Sequence, residues 1–288
     1  MADHGGNASV ARGPSGTLTR DVLGFLAFSH GWTWAFWALA SFGGGSVWEP
    51  PGRYFFLVGG AGVMIGGVVM TRVSHGHAAL RELGPRLVDP RRASPRWWAV
   101  TLLLFPLLTL LAGGLAALMG SAGPPLDPGG AAARATDPTG LLALIGFILV
   151  IGPLPEEIGW RGYLQDRLQE RWSVLYASLA VGLVWWSWHL PLFLMPGFFD
   201  VFDIARPTPL GFLAGLLPAA ILYAWVYNST RRSVLVVIML HFMQNFSGEL
   251  LGMSAAARVA QVVLMALAAV LVVWWWESRS LRAIMTRL

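Results

Sequence analysis

Residues Pro155–Leu168 read PEEIGWRGYLQDRL and follow directly on the apolar run LLALIGFILVIGPLP at 141–155. Glu156 and Glu157 therefore stand where ionised groups are expensive. A charge at the centre of a membrane helix costs about 2.5–3.5 kcal/mol on insertion scales, and charges found there are usually paired and functional. An apolar run interrupted by a carboxylate pair, in a chain with little other charge, points to a membrane-embedded site.

The rest of the chain agrees with that environment. Of 288 residues, 56% are hydrophobic and 12% charged, about half the ~25% of an ordinary soluble domain. The expected fold is all-α, a polytopic membrane protein. Cysteine is absent, which excludes a thiol nucleophile, a Cys-based metal centre and any disulfide. All twenty basic residues are Arg, so Schiff-base and Ser–Lys mechanisms are excluded too. The net charge of +5 is explained by Arg flanking membrane helices rather than by nucleic-acid binding, since no basic soluble domain is present.

Met1–Arg20 is polar and reads as a disordered cytoplasmic tail, leaving 21–288 as one membrane domain. The first apolar run is longer than a signal-peptide core and is taken as an uncleaved span. With about 20 residues needed per crossing, eight spans are expected: Val22–Phe42, Tyr54–Val73, Trp97–Met119, Gly140–Pro155 continuing into the motif, Val174–Met195, Leu210–Tyr227, Val234–Leu251 and Ala257–Trp276. The tail, Arg72–Arg96, Arg161–Arg171, Arg231–Arg232 and Arg279–Arg287 together hold sixteen of the twenty Arg. Positive-inside then places both termini in the cytoplasm. Gly62 and Gly66 form a G-x-x-x-G pattern, read as packing within the chain. Arg72–Arg96 reads as a surface amphipathic segment touching lipid headgroups, and Ser121–Thr139 as a Gly/Pro loop on the outer side. The Trp clusters at 32–37, 97–98 and 274–276 suit the membrane interface. Asp200, Asp203 and Glu249 are expected to face solvent.

Three spans carry polar pairs at i, i+4, on one helix face: Glu157 with Arg161, Trp185 with His189, and His241 with Asn245. Facing lipid, each pair would be unsatisfied. If the fourth span runs as one helix to Gln169, its turn into the fifth lies midway between Glu156 and His189. Both side chains then fall about 20–25 Å along the helix from that turn, and His241 can be brought level by tilt. A single site below the cytoplasmic surface is expected. An isolated intramembrane His is more often a packing residue, but three such pairs at one depth beside a carboxylate dyad favour a site.

The chemistry open to these groups is hydrolysis by an activated water. A carboxylate kept out of bulk water makes a useful general base. Glu156 is the candidate, with His189 positioning the same water and Glu157 neutralised by Arg161. His241 and Asn245 can both donate to a developing oxyanion, an effect of roughly 10²–10³ in rate per donor.

The run Glu156-Glu157-Ile158-Gly159-Trp160-Arg161 resembles the E-E-x-x-x-R signature of the CAAX protease and bacteriocin-processing family, the intramembrane glutamic endopeptidases also called the abortive-infection family. Trp185…His189 resembles its F-x-x-x-H motif, with Trp for Phe, and His241…Asn245 its H-x-x-x-N motif. The resemblance covers about residues 140–250. It implies an eight-helix intramembrane endopeptidase acting on membrane-associated peptides or proteins, without a cofactor. Glu156 and His189 would activate water, and His241 and Asn245 would form the oxyanion hole. The Arg-only composition suggests a bacterial cytoplasmic membrane. Two other readings use the same residues: a zinc-dependent hydrolase, for which Asn is a poor ligand, and a non-catalytic immunity or scaffold protein.

Overall fold

The computed structural model describes residues 14–42, 44–200 and 207–285, and among these there is no strand. The apolar stretches fold as α1 (Pro14–Ser41), α2 (Gly52–Gly60), α3 (Gly62–Val88) and α4 (Pro95–Leu118), followed by a short α5 (Pro128–Ala135) and α6 (Pro138–Ile151). The motif carries α7 (Pro153–Gly159), a single π-helical turn at Trp160–Leu164, and α8 (Gln165–Gln169). The chain closes with α9 (Val174–His189), α10 (Pro209–Ser229), α11 (Val234–Leu250) and α12 (Ala255–Met285). Helix starts are set locally by side chains that accept from orphan backbone N–H groups: Asp137 from Gly140, Ser173 from Tyr176, Thr208 from Gly211 and Ser233 from Val236.

Large apolar side chains face outward along whole helices, among them Leu103, Leu107 and Leu111 on α4 and Val263, Leu267 and Leu271 on α12. Patches of that extent are stable only when lipid covers them. Among the described residues six helical stretches are long and apolar enough to cross a membrane, and the protein is a multi-pass membrane protein. All eight expected stretches are helical, but Pro14–Ser41 and Val234–Leu250 lie outside the six, the latter being 17 residues long. Helix α1 starts at Pro14, inside the segment read as a tail, while residues 1–13, Asp203 and Arg206 lie outside the described residues.

The helix runs through Pro155 as expected, but the fourth span is not one unbroken helix: the break falls at Gly152, with φ −130° and ψ −88°. Pro153 and Pro155 sit in the first turn that follows, where no intrahelical N–H bond is lost to proline. From Pro153 to Gln169 the helix continues, so the carboxylates keep a fixed register against α9.

Two close crossings hold this motif. A Cβ at Gly159 would lie 2.3 Å from Val63 Cγ1 and 2.5 Å from the Val63 carbonyl oxygen, and a Cβ at Gly67 would lie 2.9 Å from Gly159 Cα. Helices α3 and α7 thus touch backbone to backbone. The Gly62/Gly66 pattern works within the chain as well: added Cβ atoms would lie 2.6 Å from Trp32 Cδ1 and 3.1 Å from Phe28 Cδ1 on α1.

The Arg-bearing turns gather at one end of the bundle, and three surface assignments change in the structure. Gly76, at φ 76°, kinks α3, and the part beyond it packs inward through Leu83 and Arg86, both buried. Arg86 pairs with Asp166 at 3.0 Å and donates to the Tyr227 hydroxyl, which itself donates to Asp166 at 2.7 Å. Arg86 is therefore a buried clasp between α3 and α8, not a lipid contact. Trp37 is 2% exposed and belongs to the core, not to an interfacial belt. The 121–139 segment contains α5 and docks on the α11–α12 turn through Asp127 N–H to Leu251 O at 2.8 Å. Glu249 lines a cavity beside Arg258, 3.7 Å away, and stays partly exposed.

Candidate active site

Glu157 and Arg161 are both fully buried and paired at 2.9 Å, four residues apart. The second carboxylate oxygen of Glu157 accepts from His241 Nδ1, also at 2.9 Å. The remaining Arg161 nitrogens, Nε and Nη2, have no hydrogen-bond acceptor. Instead the guanidinium lies over the rings of Tyr223 and Trp185, 4.9 and 5.3 Å from their centroids, where ring quadrupoles compensate the cation. A charge that would otherwise be costly is thus met by one carboxylate and two aromatic faces. The pattern of E-E-x-x-x-R shows the ion pair; it carries no signal for Tyr223, which lies on α10.

Glu156 has different surroundings. One of its oxygens accepts the indole N–H of Trp185, and its side chain lines a cavity of about 300 Å³ together with Trp185, His189, His241 and Asn245. His189 uses Nδ1 against the Trp185 carbonyl at 2.8 Å. A carbonyl only accepts, so Nδ1 carries the proton and Nε2 of the neutral ring keeps a lone pair. The imidazole is wedged edge-on against Trp188 and Phe212, with centroids at 4.8 and 5.1 Å. His241, with Nδ1 committed to Glu157, likewise has only Nε2 left for the cavity.

Gly152 matters through the space it leaves. A Cβ there would lie 3.5 Å from Glu156 Oε1 and 3.6 Å from Asn245 Nδ2. The carboxylate and the amide therefore both approach the backbone at Gly152, a base and an N–H donor within reach of the same part of the cavity. The structure brings Glu156, Trp185, His189, His241 and Asn245 together at one cavity, with Glu157 and Arg161 behind it. Gly152, Tyr223 and Trp37 are the neighbours that motif spacing does not reveal.

The site is nearer the bundle end opposite the Arg-bearing turns. His189 closes α9 just before a 3₁₀ turn at Leu190–Leu194, and Asn245 is five residues from the end of α11. This is the expected depth of about 20–25 Å along the helices from the Arg-bearing turns, which passes the middle of a hydrocarbon core ~30 Å thick.

Among the described residues no three His, Asp or Glu side chains are grouped so that they could hold a metal ion.

Residues 138–247 match the model of the family described as Type II CAAX prenyl endopeptidase Rce1-like. The chain is also similar to the CAAX prenyl protease 2 of Methanococcus maripaludis, 32% identical over 125 residues. That alignment covers 43% of this chain and 46% of the relative, so the chain spans about half the length of the curated protein it matches. All the candidate residues except Gly67 and the other α1–α3 supports fall inside the matched stretch, so the similarity to the Rce1-like type II CAAX prenyl endopeptidases extends over the whole candidate site.

Proposed function

We propose that the protein is an intramembrane endopeptidase of the glutamic type, hydrolysing peptide bonds of membrane-associated peptides or proteins. The observation that carries this reading is the convergence of Glu156, His189, His241 and Asn245 on one cavity, with Glu156 Oε1 and Asn245 Nδ2 both beside Gly152. A water in that cavity can give its proton to Glu156 while its oxygen adds to the scissile carbonyl carbon. The Nε2 lone pair of His189 orients the water. Asn245 Nδ2 donates to the oxyanion, and His241 Nε2 does so when the ring is protonated. As the tetrahedral intermediate collapses, the C–N bond breaks and Glu156 returns the proton to the leaving amine, restoring the carboxylate. Glu157 and Arg161 stay out of proton transfer and fix the orientation of His241.

The membrane domain is proposed to cross eight times with both termini in the cytoplasm, in a bacterial cytoplasmic membrane. No cofactor is assigned. The donor set does not suit zinc, since no three ligating groups converge among the described residues, and cleavage is expected to persist under strong chelation.

Membrane fractions of cells carrying wild-type protein or Glu156→Gln, compared by quantitative proteomics, test the reading. Gln preserves shape and removes the base, so uncut substrates should accumulate in the variant. Identical peptide profiles with biological activity retained would leave a non-catalytic immunity or scaffold role.

A further inference from the structure

His189 is the last residue of α9, so its ring can be no better aimed than the turn that carries it. That turn is gripped from α1. His30, Thr33, Trp34 and Trp37 stand at i, i+3, i+4 and i+7, one face of a helix, and each of them meets Ser187 or Trp188.

Trp188 is held at three points. Its carbonyl belongs to the orphan set at a helix end, and the residue three further on, Pro191, has no N–H to offer it. The indole N–H of Trp34 donates to that carbonyl at 3.1 Å. The Trp188 indole N–H donates to Thr33 Oγ1 at 2.9 Å, while the single hydroxyl proton of Thr33 goes to the Gly59 carbonyl on α2, at 2.8 Å. Thr33 and Trp188 are both buried. The Trp37 ring lies 4.8 Å from the Trp188 ring and is itself anchored to the Phe56 carbonyl at 3.0 Å. One residue earlier, Ser187 Oγ donates to the Val184 carbonyl at 2.8 Å, so His30 Nε2, 3.1 Å away, is the donor to Ser187.

Little behind this grip can yield. A Cβ at Gly59 would lie 2.5 Å from Trp37 Cδ1, and one at Gly62 would lie 2.7 Å from Thr33 Oγ1. The α2–α3 junction therefore presses on the same residues that hold Trp188. Trp188 in turn stands edge-on to the His189 imidazole, 4.8 Å between centroids at 86°. We infer that Thr33 and Trp34 are positioning residues for His189: acting through Trp188, they hold its ring so that Nδ1 stays on the Trp185 carbonyl and Nε2 stays available to the cavity. Helices α1 and α2 lie outside the matched 138–247, so the site is completed by a part of the chain beyond that match. That His189 serves hydrolysis rests on the endopeptidase reading, but its positioning can be measured without a substrate.

Full-length protein isotope-labelled at the histidine ring nitrogens and purified into lipid nanodiscs gives that measurement by NMR, because the two nitrogens of a neutral imidazole differ according to which holds the proton. His189→Gln identifies the His189 signals and His241→Gln those of His241. In the wild type His189 is expected to show one tautomer, with the proton on Nδ1. Thr33→Val removes the hydroxyl at nearly constant shape and leaves the Trp188 N–H without its acceptor. Trp34→Phe, at a site 40% exposed, removes the bond to the Trp188 carbonyl and leaves the core intact. Either change should cost His189 its single-tautomer signature while His241 keeps its own, and Thr33→Ser, which retains the hydroxyl, should match the wild type. Should Thr33→Val not fold, Trp34→Phe decides alone. Unchanged His189 signals in the folded variants overturn the inference, and so does equal movement of His189 and His241, the mark of general loosening. The Glu156→Gln comparison fails separately: a His189 that loses its tautomer in a protein that cleaves nothing keeps the positioning and removes the peptidase, and uncut substrates beside an unmoved His189 do the reverse.

Discussion

Trp185 donates its indole N–H to the Glu156 carboxylate, joining α9 to the first turn of α7. The same ring lies against Arg161 and, at 5.3 Å between centroids, against His241. Phenylalanine at this position would keep the ring and lose the donor. Trp185→Phe is expected to fold normally and to lower kcat by roughly 10- to 100-fold with little change in KM, the cost of a misaimed base. Steady-state kinetics of the purified variant decide; wild-type kcat would remove Trp185 from the positioning of Glu156.

The two adjacent glutamates should separate cleanly by phenotype. Glu156→Gln is expected to abolish cleavage and leave thermal unfolding in detergent within a few degrees of wild type. Glu157→Gln leaves Arg161 buried without its carboxylate, and removing one partner of a buried pair costs about 3–5 kcal/mol. Its unfolding midpoint should fall markedly. Replacing Arg161 by Met in the same chain should restore part of the loss, because the two changes act on one interaction.

At Gly152 a methyl group fits without steric clash, since its nearest neighbours would stand at 3.5–3.7 Å. It would nevertheless intrude on the part of the cavity that Glu156 and Asn245 share. Gly152→Ala is therefore expected to retain stability and lose about 10- to 100-fold in kcat/KM, as a displaced reacting atom does. An active variant would place the water elsewhere.

The clasp at the Arg-bearing end makes a structural prediction. Asp166→Ala strips Arg86 of its 3.0 Å partner and should release the segment beyond Gly76. Limited trypsin digestion should then cut at Arg81 or Arg91 faster than in wild type, with the unfolding midpoint lowered. Unchanged digestion would mean that Leu83 and the Arg92–Arg231 bonds alone hold the segment.

Much of this site can be read from spacing. Four residues between Glu157 and Arg161, Trp185 and His189, and His241 and Asn245 put each pair on one helix face, and symmetry about the turn after Gln169 brings α7 level with α9. What spacing does not resolve is physical context. Gly152, Pro153 and Pro155 all disfavour a continuous helix, and only packing selects Gly152 as the break, because proline is tolerated in a first turn. Arg86 and Trp37 carry surface-like or interface-like identities; their burial follows from partners distant in sequence, Asp166 and Trp188.

The crossing of α3 and α7 sets Gly159 against Gly67 and against both the backbone and the side chain of Val63. With only main chain and one stiff β-branched side chain at that joint, the carboxylate-bearing turn is held like a tool seat machined into its mount. The cavity rim, by contrast, comes from the 190–200 stretch and the starts of α10 and α12. Laboratory evolution aimed at new cleavage preferences can therefore recombine the rim freely while holding Val63, Gly67 and Gly159 constant, and libraries that randomise those three positions should yield almost no active members.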